Sequence, residues 1–242
     1  HPVDRRQRQM CIRDRTERFR LSAGQTSWEP ANKLPPHRAQ NTAMLQFSSR
    51  YNDAFGSGAS LRFRANYYDL LNINAARIPF SELSTFDLSL LYTTQERGWS
   101  IRELTLFNVL NLNVSQTGLA EDNFYAWSLN AGYKPNNLSC IDCSDMYVGG
   151  FLGKSMNLAD DSAGYAALAG EILFSDLSHG AAYIGPEIGA VLSIAPYWAT
   201  SIKVGSGFNI TEIAKHKNYL KWEQRFFENR NFDIRTLSLI HI

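Results

Sequence analysis

From Trp99 to Tyr133 the chain alternates, and that alternation limits its possible folds more than any other feature. Through the first arm Leu104, Leu106, Leu110 and Leu112 share one parity, interrupted by Asn108. In the second arm Tyr125, Trp127, Leu129, Ala131 and Tyr133 share one parity, and Ser128, Asn130 and Gly132 take the other. Successive side chains of a strand point to opposite faces, so both arms read as strands and not as helices. Ser115–Asn123, with its Gly, Asp, Asn and Ser, suits the loop between them.

Most of the remaining chain repeats this hairpin. Leu45, Phe47 and Tyr51 interleave with Gln46, Ser48 and Arg50, and Phe55-Gly56-Ser57-Gly58 turns the chain. Leu61, Phe63, Ala65 and Tyr67 then alternate with Arg62, Arg64 and Asn66, giving one apolar and one basic face. Phe86, Leu88, Leu90 and Tyr92 continue the pattern. The segments Tyr147–Gly153, Tyr165–Phe174, Tyr183–Ile194 and Trp198–Phe208 are rich in Gly and Ala. Glycine repeated through successive strands suits a sheet that bends toward closure. The last pair is Tyr219–Phe227 and Asn231–Thr236, with a helix over Ile213–Gln224 as the weaker reading. About ten strands of roughly eight to twelve residues are expected at hairpin spacing.

A sandwich strand is about five or six residues long. These are closer to the roughly nine to eleven that cross a bilayer when tilted. Tyr51, Tyr67, Tyr68, Tyr92, Trp99, Tyr125, Tyr133, Tyr147, Tyr197, Trp198 and Tyr219 fall near strand ends, as in an aromatic girdle. The expected fold is therefore all-β: an antiparallel up-and-down β-barrel of outer-membrane type, with a soluble barrel or sandwich as the rival. A hydrophobic share of 44% and an aromatic share of 12% supply the apolar surface. The 24 basic and 23 acidic side chains nearly cancel, so no global basic field points to nucleic acid. No uninterrupted apolar run is long enough for a spanning helix, and no signal-peptide core follows the basic start.

Four regions are expected. Residues 1–15 and 237–242 contain Arg-Gln-Met-Cys-Ile-Arg-Asp-Arg and Leu-Ser-Leu-Ile-His-Ile, which resemble translated sequencing-adapter DNA and stand apart from the fold. The rival for the first is a genuine basic arm. Residues 16–41, with Pro30, Pro35 and Pro36, read as a linker or the tail of a missing upstream domain. Residues 42–236 form the β-domain.

Chemistry-bearing motifs are few. Cys140-Ile-Asp-Cys143 lacks the second ligand pair that zinc needs and the βαβ setting of a redox site. Its expected state is a small loop disulfide in an oxidising compartment, with reduced thiols as the alternative. Arg62 and Arg64, with Arg50 nearby, are candidates to line a lumen and attract anions, against a plain solvated strand face. Asp69 is placed to cap a turn or to pair with one of these arginines. His37 and His179 come with no nucleophile elbow, and a triad assembled in space is not visible in sequence. No catalytic residue, metal ligand or cofactor is assigned.

Several ordered pieces together resemble the C-terminal region of the Lnb family of bacterial envelope proteins. They are Pro36-His37-Arg38, Arg64-Ala-Asn-Tyr-Tyr-Asp-Leu-Leu71, Ala126-Trp-Ser-Leu-Asn-Ala-Gly132, Cys140-x-x-Cys143, Glu223-x-Arg225, and Asn231-x-x-Ile234-Arg235. Tyr68 stands where the family tends to have histidine. The resemblance implies a β-rich domain at the bacterial outer membrane, its N-terminal side periplasmic, joined to a periplasmic Cys/His domain upstream of Thr16. The family name is attached to lipoprotein N-acyl transfer. The expected role is then a non-catalytic barrel that anchors or positions that missing acyltransferase-like domain, with membrane lipid and lipoproteins as partners. Two alternatives stand beside it: a porin-like channel with an arginine-lined lumen, and an outer-membrane lipid hydrolase or acyltransferase with its own Ser/His site.

Overall fold

The computed structural model describes residues 41–52, 56–72, 78–94, 98–114, 124–135, 143–159, 161–174, 180–195, 197–211, 216–226 and 232–241. The alternating segments form eleven strands, one more than the expected ten or so, and Leu237–His241, expected to stand apart from the fold, pair with the preceding strand in the last of them. They are β1 (Met44–Asn52), β2 (Gly56–Tyr68), β3 (Ser81–Thr93), β4 (Gly98–Asn111), β5 (Ala126–Pro135), β6 (Ser144–Ala159), β7 (Ser162–Phe174), β8 (Ala181–Ala195), β9 (Trp198–Asn209), β10 (His216–Phe226) and β11 (Ile234–His241). Every strand is antiparallel to its chain neighbour, and spatial order equals chain order in one up-and-down sheet. No helix occurs among the described residues, and the segment weighed as a helix is strand β10. His37, Cys140 and His179 lie outside the described residues.

The sheet is strongly curled. The Arg235 side chain on β11 pairs with Asp69, just past β2. In a flat sheet those strands would stand about 40 Å apart, at about 4.8 Å per strand. Cross-strand contact between side chains so far apart in the ladder requires the concave face to fold in on itself.

Polarity is inverted across this curl. Along β7 the outward residues include Leu168 and Ile172; along β8 they include Ile184 and Ile188; along β9, Ile202, Val204 and Phe208. All are exposed. The concave face carries Arg64, Asp87, Arg102, Asp145, Glu187 and Arg225, all buried. Among the described residues the buried set holds more polar and charged residues than apolar ones.

Two apolar clusters lie inside among the described residues: Tyr147, Leu173 and Ala181 toward the far end, and a larger one at the end where β1 begins. Leu71 follows β2, and Leu112 and Val114 follow β4. They pack with Ala126, Ala163, Tyr165, Val191 and Ala199, and against Phe80. Ring stacking of Phe151 on Tyr165, centroids 5.2 Å apart, extends this plug along the interior.

Strict alternation fails in one place that matters. The ladders on both sides of β3 skip Phe86, which has a φ of 52°. Beyond this irregularity the in–out order slips by one on β2 and β3. Tyr67, expected on the apolar face with Leu61 and Phe63, is instead turned inward and is 5% exposed, while Asn66 faces out. A left-handed backbone at a bulky residue re-aims the strand much as a bulge does.

Candidate functional site

Among the described residues the concave face carries several charged groups, four of which join different strands, while Lys221 and Glu223 pair along β10 at 3.0 Å. The first joins β2 to β3. Arg62 donates from Nε and Nη2 to the two carboxylate oxygens of Asp87 at 2.7 and 2.6 Å, and Arg64 Nε donates to Asp87 Oδ2 at 2.7 Å. Asp87 lies between them because the ladder sets Arg64 opposite Asp87. Two of the expected lumen arginines therefore share one buried carboxylate. Arg50 on β1 is in the same region but donates to Ser60 Oγ at 3.1 Å.

The second group closes the end near the apolar plug. Asp69 Oδ1 accepts the Leu71 backbone N–H at 3.0 Å, capping the turn after β2. Its Oδ2 accepts both the Tyr67 hydroxyl and Arg235 Nη1. So Asp69 caps a turn as expected, and its ion-pair partner is Arg235 on β11. Asn72 Oδ1 accepts from Arg235 Nη2 at 2.9 Å and from Arg225 Nη1 at 3.4 Å. Arg64 sits 4.2 Å above the Tyr67 ring and links this group to the first. Burial alone pushes the Asp69 carboxyl up, but the Arg235 and Arg64 guanidiniums and the Tyr67 hydroxyl hold it well below the ordinary carboxylate range. Three of the separated segments that carry the family resemblance meet here: Arg64 to Leu71, Glu223-x-Arg225, and Ile234-Arg235.

The third group centres on Glu187 of β8. Its carboxylate accepts the Tyr165 hydroxyl at 2.7 Å and the Tyr219 hydroxyl, with Lys203 Nζ 3.7 Å away. Both tyrosine rings lie flat over glycines. A Cβ added to Gly189 would come within 2.5–2.7 Å of the Tyr165 ring, and Gly205 stands in the same relation to Tyr219. Glycine is required there by the approach of the ring.

The fourth group lies toward the opposite end. Lys134 of β5 pairs with Glu171 of β7, and Lys217 of β10 reaches the same carboxylate at 4.0 Å. The Lys134 ammonium stands 4.4 Å over Tyr147, and that of Lys217 stands 4.1 Å over Tyr183. Asp145 is buried beside them. Cys143, just before β6, is disulfide-bonded, while Cys140 lies outside the described residues.

Sequence reasoning singled out Arg50, Arg62, Arg64 and Asp69 but missed Asp87, Arg225 and Arg235 beside them, and Glu171 and Glu187 at the centres of the other groups. One signal was present: each missed acid is an isolated charge on the minor parity of a strand with Gly, Ala or Leu around it. Among the described residues no group of three or more His, Cys, Asp or Glu side chains is arranged to hold a metal ion. Most of these charges are paired with one another, while both carboxylate oxygens of the buried Asp145 have no hydrogen-bond partner.

No curated protein and no solved structure matches the sequence. A family of domains does match, over residues 33–239, a span that contains every charged group described above. The chain belongs to that family, described as Domain of unknown function (DUF7840).

Proposed function

We propose that this domain is a β-barrel embedded in the bacterial outer membrane, where it anchors and positions a separate periplasmic domain of the Lnb-like, acyltransferase-associated kind. The observation that carries the reading is the inverted polarity: apolar rows outside, charge pairs inside. A soluble monomer rarely exposes an apolar patch beyond a few hundred Å². Each large apolar side chain left in water forgoes about 1.5–3 kcal/mol, so the rows along β5 to β10 alone forgo tens. Lipid removes that penalty.

Dimensions agree with this reading. A 13-residue strand such as β7, at about 3.3 Å per residue and tilted by about 40°, rises about 33 Å, enough for the hydrocarbon core. Exposed aromatics gather at both ends of the strands. Phe124, Tyr125, Tyr197 and Trp198 lie at the end where β1 starts, and Tyr51, Trp99 and Phe208 lie at the other. Lys154 sits 4.5 Å over the Tyr125 ring at the first of these belts, as a lysine at a lipid boundary does. The chain enters β1 at the plugged end, which suits a domain tethered there.

The channel reading is weaker, because Arg62 and Arg64 are both engaged by Asp87 and the plug fills one end. The test is folding of the purified chain with and without detergent. Heat-modifiable migration and a folded spectrum that require micelles or vesicles are expected. A monodisperse folded chain in detergent-free buffer would contradict the membrane assignment.

A further inference from the structure

β1 and β11 are the two ends of the sheet, and among the described residues no ladder joins them. Each lacks a neighbour on one side, and the side chains register that lack. Phe47 and Tyr51 of β1 are 77% and 75% exposed, more than any other large apolar side chain among the described residues. On β11, Leu237 and Leu239 share the parity of Arg235, which turns inward to Asp69. They are nevertheless 58% and 39% exposed, so this strand is open on both faces.

Direction decides what can fill the seam. Every neighbour in the sheet is antiparallel, so the first and eleventh strands run the same way. They could meet only as a parallel pair, which is slightly less stable per residue and foreign to the rest of the sheet. One further strand between them would be antiparallel to both, and would give the even count of bacterial outer-membrane barrels. The opening is narrow, because the single side chain of Arg235 reaches from β11 to the turn after β2. It has room for one strand, not for the sheet of a second copy. In hydrocarbon, both free edges would leave backbone N–H and C=O groups without water or partner. The seam also has a charge to match. Arg50 faces inward on β1 and donates to Ser60 Oγ, with no carboxylate paired to it among the described residues. The stretch before β1 carries Pro30, Pro35 and Pro36, and proline has no N–H to give a ladder.

We propose that the seam between β1 and β11 takes up one extended strand of a second polypeptide, about as long as the nine-residue β1. It runs antiparallel to both edges and completes the backbone hydrogen bonds of each. It turns alternate apolar side chains outward beside Phe47 and Tyr51, and an acidic side chain inward to Arg50. Arg50 lies near the finish of β1, so the acid falls among the first residues of the incoming strand. The proposal rests on the membrane-spanning reading above.

The experiment uses the full chain folded in vesicles and a fluorescent nine-residue peptide, Tyr-Glu-Leu-Thr-Cys-Ser-Leu-Ser-Tyr, with a second peptide carrying lysine in place of glutamate. Insertion is scored in the same sample by quenching of tryptophan with brominated lipid. Saturable one-to-one binding is expected. It should weaken about tenfold or more for the lysine peptide and for Arg50→Glu with the first peptide, and recover when Arg50→Glu meets the lysine peptide. The peptide cysteine should form disulfides with both Ser49→Cys and Ser238→Cys, mapped by mass spectrometry. A disulfide between those two positions in the double variant without peptide would show that β1 meets β11 directly, and overturns the proposal. So does a Ser49→Cys dimer, which would place a second copy on the edge. Quenched tryptophans with no peptide bound overturn it too and leave the membrane reading intact. Failure of quenching overturns both.

Discussion

At the scale of residues, the interior depends on charges that have no neutral way to be buried. Removing one partner of such a pair leaves the other uncompensated, which costs about 3–5 kcal/mol. Asp87→Asn strips two arginines of their counter-charge. Because Arg62 retains some access to solvent, a loss near the low end, about 3 kcal/mol, is expected, read as a lower urea midpoint in micelles. Asp69 makes a pH prediction. Its folded pKa is depressed, so its stabilisation is fully present above the unfolded value of about 3.9 and is lost as pH falls through that value toward the folded one. Asp69→Asn should therefore be less stable than the parent at pH 6, with the gap narrowing steadily below about pH 4. A gap that stays constant from pH 6 to pH 2 would show that Asp69 does not act through its charge. These partners were hard to read in advance. Parity told which face Asp87, Glu171 and Glu187 occupy, but not which strand's side chain meets them across the concave face. Arg235 and Asp69 stand nine strand spacings apart along the sheet, and only the curl unites them.

At the scale of elements, hydrophobic period and turn residues were enough to place nearly every strand, because each segment alternates over many residues between polar turns. They failed where two effects competed. Tyr67 continues the apolar row of Leu61 and Phe63, yet the left-handed backbone at Phe86 slips the alternation and sends it inward. Nothing in a period of two announces such a slip. The β2–β3 connection depends on it: with Tyr67 inside, Asp69 is capped and clamped, and Leu71 is driven into the plug. Leu71 is 3% exposed and packs on Leu112 and Val114. Leu71→Ala should cost about 2–5 kcal/mol, measured by urea unfolding in micelles. An effect below about 0.5 kcal/mol would mean that the connection is not packed into the interior.

At the scale of the whole molecule, an apolar exterior surrounds an interior that holds, among the described residues, ion pairs and two apolar clusters. On the proposed reading, such an object holds its place in lipid and conducts little. In planar bilayers the inserted chain should give no ohmic steps at symmetrical salt, and Asp87→Asn should not create an anion-selective pore while the Leu71 plug remains. Well-resolved steps in the parent would favour the channel instead. The most direct measurement of the central claim is a nitroxide scan along β7, one label at a time from Ala166 to Leu173, in lipid vesicles. The account predicts that labels at Ala166, Leu168, Gly170 and Ile172 are accessible to dissolved oxygen and shielded from a water-soluble relaxer, while those at Ala167, Ala169, Glu171 and Leu173 lose the oxygen contact. Even-numbered positions open to the water-soluble relaxer, or no alternation at all, would contradict it.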